Sequence, residues 1–432
     1  VLFRSKSINR KIQHEIPISD YTDLPVCEKY IERINSLGAT TATQSRWFNS
    51  VVFYSTPNVA DKISQLSFVD SILKFKSDTI SIVATNSAKK NTNKNLLSAQ
   101  LSILEGDYFK NQNLKGQGIR IAVFDAGFSS VDKSFAFKHL IDSHKIIHTY
   151  DFVGKDSNVY SHSFHGTNVL SCIAGVYDKQ HIGLATEAEF LLARTESVKR
   201  EPFSEEENWL AAVEWADKHG ADIINSSLAY TENRYFTNQM NGQTSLVSKA
   251  ANMAARKGML VVNAAGNDGD NSWKKIGTPG DADSVLTVGG INPLTNFHMD
   301  FSSYGPTADN RMKPNVCAYA EVIVAGNNEI HRTQGTSFAA PLITGFAACL
   351  WQLHPEWTNM QLFREIESSG SLYPYYDYAH GFGIPRASSF FKIKEKEIPT
   401  ISFDETPENI ILRIRDGEFQ PNPKGEIGRA HV

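Results

Sequence analysis

The sequence predicts an α/β protein, a doubly wound parallel sheet with helices on both faces, together with a small α+β domain at the N-terminus. Short uninterrupted apolar runs alternate with helical stretches through the middle of the chain, as strands buried on both faces require. The length of 432 residues, with 41% hydrophobic content, exceeds what one core usually reaches, so a large domain plus a smaller one is expected. Before residue 76 the pattern is instead one of single short helices and strands.

In chain order, Val1 to Ser5 and Ile427 to Val432 resemble translated sequencing-adapter remnants and are set aside from the fold. The natural chain is therefore expected to extend beyond both ends, and a missing leader or initiator methionine says nothing about export. Pro25 to Leu37 predicts a helix, with Tyr30, Ile31, Ile34 and Leu37 on one face and Gly38 ending it. Trp47 to Tyr54 predicts a strand, Val59 to Leu66 a helix and Val69 to Phe75 a strand, so that residues 6–76 make one α+β domain. From Lys76 to Gln100 the composition turns to Ser, Thr, Asn and Lys, which predicts a solvated connector over 77–96 that is open to proteolysis.

The main domain is expected over 97–395. Gly118 to Phe124 reads as a buried strand that ends in Asp125-Ala126-Gly127, where the chain must turn. His165 to Gly175 reads as a helix with histidine in its first turn. Glu205 to His219 is helical, acidic in its first turn, and Asp222 to Asn225 follows as a strand; Ser245 to Lys257 and Met259 to Asn263 repeat the unit. Gly335-Thr336-Ser337 opens a further helix, in which Ala339, Ala340, Ala347 and Ala348 permit close packing. Over 396–426, Thr400 to Phe403 and Asn409 to Leu412 suggest a small β module.

Asp125, His165 and Ser337 each stand at an element boundary beside glycine, in the order acid, imidazole, alcohol. In that order the chain resembles the subtilases, the subtilisin-like serine peptidases. The likeness continues in Ser226-Ser227-Leu228, Ala264-Ala265-Gly266-Asn267-Asp268-Gly269, Phe301 to Pro306, Lys313 to Val316 and Gly381-Phe382-Gly383, and runs from about Leu97 to Lys392. It implies a subtilisin-like sheet, a serine endopeptidase working through an acyl-enzyme, and an N-terminal propeptide that first inhibits the chain intramolecularly, so that the protein is made as a zymogen.

The chemistry agrees with this resemblance. A serine hydroxyl needs a base near neutrality, for which His165 is the candidate, and Asp125 would hold the ring in one tautomer. The Asn267 side-chain amide and the Ser337 N–H would bind the oxyanion. Ser227, Leu228, Ala229, Ala265, Gly266 and Gly277 are the expected substrate-binding residues. Ala229 stands where the family often has glycine and is expected to narrow the first specificity pocket. Gly277, at the pocket floor, is expected to leave room for a sizeable apolar or aromatic side chain. Ala126, in place of the usual serine or threonine, is expected to tune rather than abolish activity.

A net charge of −4 and the lack of a basic run argue against nucleic acid as partner; the expected partner is a protein or peptide substrate. No apolar stretch is expected to span a bilayer. The four cysteines show no metal-ligand spacing, so no metal ligands are assigned. The chemistry requires no cofactor, and the resemblance admits structural calcium, although no EF-hand-like loop occurs. Phe419 to Pro423 is similar to sorting tails of secreted bacterial subtilases, which points to an extracellular protein. Two alternatives are a catalytically inactive scaffold of the same fold, which would usually have lost a triad member, and a glutamate-using sedolisin-like peptidase, against which His165 argues.

Overall fold

At the N-terminal end of the computed structural model a polar helix, α1 (Ser5–Gln13), buries Ser7, Arg10 and Lys11. Sequence periodicity offers no warning of it, because its burial is ionic rather than apolar. Helix α2 (Glu28–Ser36), the antiparallel strands β1 (Thr40–Ser45) and β2 (Ser50–Tyr54), and α3 (Pro57–Ser64) follow. Proline at the start of α3 costs no hydrogen bond there and presets the helical φ. Ile34, Ala39 and Ile63 form a small core with Phe53, Val59 and Leu66 packed on it. Strand β1, a run rich in threonine, owes its form to pairing with β2 and was not anticipated. The expected strand at Val69 to Phe75 does not form among the described residues: Val69 and Ile72 reach the same core from irregular chain.

The structure describes residues 3–74, 94–197, 203–232, 234–391, 401–405 and 410–414. Most of the expected connector, and the Phe419 to Pro423 motif, lie outside them. The connector's expected end is corrected: helix α4 (Lys94–Ser102) has begun by Lys94, and Leu96, Leu97 and Leu101 are buried. Gln100, also buried, donates to the carbonyls of Ile182 and Ile323 (2.9 and 3.2 Å) and accepts the Ile323 N–H (2.9 Å).

The main body then runs through β3 (Arg120–Asp125), β4 (Ile146–Asp151), α5 (His165–Ala174), β5 (Glu189–Arg194), α6 (Ser204–Lys218), β6 (Ile223–Ser226), α7 (Leu246–Arg256), β7 (Leu260–Ala264), β8 (Val285–Ile291) and β9 (Val316–Tyr319). After them come a hairpin, β10 (Glu321–Ala325) and β11 (Ile330–Gln334), and the helices α8 (Thr336–Leu353) and α9 (Asn359–Ser368). Seven strands make one parallel sheet in the order β9-β8-β7-β6-β3-β5-β4. Alternation along each strand divides the two faces. Ala122, Phe124 and Ile224 pack with Trp209 of α6 and Ala250 of α7, whereas Asn225, one residue on, accepts the Thr344 hydroxyl of α8 (2.8 Å). From β3 the chain winds outward to β4 and back to β5, then crosses to β6 and continues the other way. Strand β3 is thus the switch point of the sheet, where ligands of such folds bind.

Helix α8 does reach the length and apolarity of a membrane span, contrary to expectation, but it is 89% buried in the core. A second compact unit, Ser388–Val432, contains an antiparallel pair, β12 (Ile401–Glu405) and β13 (Ile410–Ile414).

In the turn between β1 and β2, Trp47 is 3% exposed and joins the core formed by α6, α7 and the sheet. Trp47→Ala should cost about 3–5 kcal/mol, the range for truncating a buried aromatic. Urea unfolding followed by far-UV circular dichroism should show a lower midpoint, and an unchanged one would contradict this packing.

Candidate active site

Asp125 ends β3 at the switch point, with its side chain fully buried. A buried carboxylate must be met by donors. The Ala126 N–H supplies one at 2.7 Å, a bond that the missing hydroxyl of residue 126 leaves intact. His165 supplies the other from the first position of α5: its Nδ1 lies 2.9 and 3.0 Å from the two carboxylate oxygens. Gly166 makes the approach possible. A Cβ there would stand 2.4 Å from the Gly127 carbonyl oxygen and 2.9 Å from the Asp125 Cβ, so any side chain would push α5 off the Asp125 turn.

The imidazole remains 37% exposed. Burial opposes its charge, but attraction to Asp125 and the hydrogen bond with it prevail, and the pKa is raised above the ordinary 6.5. A raised value means that the pair stabilises the fold fully below the ordinary histidine pKa and loses that contribution as pH rises through the folded-state one.

Ser337 is the second residue of α8. Gly335 caps that helix at φ 144°, a conformation that favours glycine. The Ser337 N–H is among the leading amides of the helix, which lack a carbonyl one turn back. Its hydroxyl donates to the Ser227 carbonyl at 3.2 Å, and the Ser227 hydroxyl donates to the Ser337 carbonyl at 2.9 Å. The His165 ring packs against Phe338, the next residue, with centroids 5.6 Å apart. Asp125 and His165 thus meet where β3 ends, and the His165 ring reaches the helix that carries Ser337 through Phe338.

Asn267 is exposed beside them. Its Oδ1 accepts both the N–H and the hydroxyl of Thr336, each at 2.9 Å, which fixes which end of the amide is oxygen and leaves the NH₂ end free to donate. Thr336 also accepts the Gly266 N–H at 3.2 Å. Sequence reading did not single out this positioning threonine; its place directly before the serine, at a helix start, was the available signal.

The other expected residues divide. Ser227, Leu228 and Ala229 run on from β6, and Ala265 and Gly266 from β7. The Leu228 side chain belongs to the core, and its carbonyl accepts from the Asn263 side-chain amide at 2.9 Å. Gly277 lies beneath both runs, its N–H on the Ala265 carbonyl at 3.3 Å. Ala229 and Thr231 pack close to the Gly277 backbone. A Cβ on it would meet Thr231 Cγ2 at 2.9 Å and Ala229 Cβ at 3.0 Å. Among the described residues no three His, Cys, Asp or Glu side chains gather to hold a metal ion. Cys172 and Cys349, in α5 and α8, are free and buried, and burial pushes both thiols up, away from the reactive thiolate.

A family model described as the subtilase family of peptidase S8 matches residues 116–383, and one for the peptidase S8 propeptide domain of Bacteroidota matches residues 2–95. Subtilisin NAT of Bacillus subtilis subsp. natto and subtilisin E of Bacillus subtilis are each 28% identical over 278 residues, 63% of this chain. The match spans 65% of those relatives' own length, just under two thirds. Among solved structures, MycP1 from Mycobacterium smegmatis superposes with a TM-score of 0.54 at 22% identity, covering 71% of this chain and 88% of that one. A cold adapted subtilisin-like serine proteinase gives 0.51 at 22% identity, over 63% of this chain and 90% of the other. At such identities these two structures show likeness of fold.

In a Ser337→Ala background, NMR titration should place the His165 midpoint above 6.5, and Asp125→Asn should lower it. Gly166→Ala, by separating the pair, should lower it as well. A midpoint indifferent to both changes would contradict the geometry.

Proposed function

Since the chain belongs to the subtilase family, we propose that it is a serine endopeptidase in which Asp125, His165 and Ser337 form the triad and Asn267 the oxyanion site. The observation that carries this reading is the His165 Nδ1 contact with both Asp125 oxygens, at 2.9 and 3.0 Å, on a ring packed beside the serine helix. With Nδ1–H committed to Asp125, the other ring nitrogen is unprotonated and free to act as base. The Ser337 hydroxyl turns from the Ser227 carbonyl to this nitrogen, which takes its proton as Oγ attacks the substrate carbonyl carbon. Charge gathers on the former carbonyl oxygen, where the Asn267 NH₂ and the Ser337 N–H donate to it. His165 then hands its proton to the leaving amine, the peptide C–N bond breaks, and an acyl-enzyme remains. Water repeats the cycle, its proton passing through His165, and releases the acid. Asp125 stays ionised throughout and stabilises the transient imidazolium.

The reading includes latency. The propeptide-like part is seated on α6 by Glu214, whose carboxylate accepts the Ser45 hydroxyl (2.5 Å), the Arg46 and Trp47 N–H groups (3.4 and 3.3 Å) and Arg46 Nε (3.2 Å). Export to the outside of a bacterial cell is the matching location, on the likeness of Phe419 to Pro423 to sorting tails.

Ser337→Ala should abolish both fluorophosphonate labelling and hydrolysis of a general protein substrate, with an unchanged circular dichroism spectrum. It should also leave the chain uncut when N-termini are mapped. Asn267→Ala should lower kcat by about 10²–10³, the usual cost of one oxyanion donor. Hydrolysis persisting in the Ser337 variant would overturn the assignment.

A further inference from the structure

Pro341 lies inside α8, four residues after Ser337. In an α-helix the Ser337 carbonyl would take its hydrogen bond from the N–H of residue 341, and proline has none to give. Ser337 is buried, so its carbonyl needs a donor from elsewhere in the protein. The Ser227 hydroxyl, on the residue after β6, supplies it at 2.9 Å.

That bond fixes the role of each group behind it. A hydroxyl has one hydrogen, so Ser227 Oγ, having donated, can only accept from its next neighbour. This neighbour is Asn225, whose side-chain NH₂ donates to it at 3.2 Å. With its NH₂ so engaged, the amide turns Oδ1 the other way, where it accepts the Thr344 hydroxyl at 2.8 Å. Thr344 stands seven residues beyond Ser337, about two turns on, so both meet β6 from one side of α8. A threonine within a helix often donates to the carbonyl one turn back; here the hydrogen goes to a strand instead. Asn225 and Thr344 are both fully buried. Donation thus runs in one direction, from Thr344 through Asn225 and Ser227 to the Ser337 carbonyl.

We infer that Asn225 and Thr344 are positioning residues for the nucleophile, acting through the Ser227 hydroxyl, which replaces the helix bond that Pro341 cannot make. The inference rests on the peptidase reading and deepens it. The Ser337 carbonyl and N–H flank one Cα, which also carries the side chain. Letting that carbonyl move therefore displaces the attacking oxygen and the oxyanion donor together. Neither Asn225 nor Thr344 needs to touch the substrate, so the loss should fall on the reacting step and spare ground-state binding.

The test follows hydrolysis of a peptide nitroanilide by the full chain, left to process itself, with kcat counted per fluorophosphonate-labelled serine. Asn225→Leu, which keeps the shape of the side chain, should lower kcat by about tenfold or more and leave KM within about twofold. Thr344→Val should lower kcat by less, and Thr344→Ser, which keeps the hydroxyl, should match wild type. Adding Thr344→Val to Asn225→Leu should bring no further loss, because the threonine acts through the asparagine, whereas two independent packing defects would multiply. Protein that labels but whose kcat ignores both substitutions, or in which their effects multiply, overturns the relay and leaves the peptidase reading standing. Should Asn225→Leu fail to fold, the threonine pair decides alone, and equal kcat in the Val and Ser variants overturns the relay. Wild-type protein that neither labels nor cleaves overturns the peptidase reading and the inference with it.

Discussion

A carboxylate withdrawn from water at the end of a parallel strand must find a hydrogen-bonding partner, and the rest of this site is arranged around how Asp125 finds one. The strand order puts Asp125 where winding reverses, so helices from separate parts of the chain can converge above it. The absence of a side chain at Gly166 lets α5 come close enough for both carboxylate oxygens to reach one imidazole nitrogen. That contact selects the tautomer, raises the affinity of the ring for a proton and aims its other nitrogen outward. The serine sits on a different element from this pair. It has only to be presented at the mouth of a helix, and the conformation of Gly335 turns the chain for that.

The sheet and the site were legible from sequence for a common reason: each rests on local signals. Apolar runs such as Ile223 to Ile224 and Met259 to Val262, with helix ends marked by Gly220 and Gly258, announce strands and helices without knowledge of neighbours. Asp125, His165 and Ser337 sit at element ends beside glycines. What could not be read depends on partners distant in sequence. Strand β1 is a polar run that becomes a strand only by pairing, α1 is buried through ions, and α4 folds because Gln100 meets the edge of β10. The packing of Ala229 and Thr231 near Gly277 likewise comes from the crossing of two segments distant in sequence.

Thr336 illustrates a division of labour. An asparagine amide can present either end to a ligand, and only a neighbour that is obliged to donate can choose between them. The Thr336 N–H and hydroxyl both donate to Oδ1, which fixes the orientation of the Asn267 amide. Its cost is met by the helix itself, whose first amides have no internal acceptor.

Asp217, at the C-terminal end of α6, is fully buried and faces cations from two distant stretches of the N-terminal part: Arg10 at 2.5 Å and Lys11 at 3.8 Å from α1, and Arg46 at 3.3 Å from the turn after β1. Arg10 also donates to the carbonyls of Ala221 and Lys257. Withdrawing any one of these cations leaves Asp217 the other two, whereas losing all three would strand a buried anion, a penalty of about 3–5 kcal/mol. Helix α1 and the turn after β1 are thus coupled through one carboxylate, and the last cation to leave it carries the largest cost. Two stretches some thirty residues apart in sequence share one anchor, so the hold on either does not depend on the chain between them.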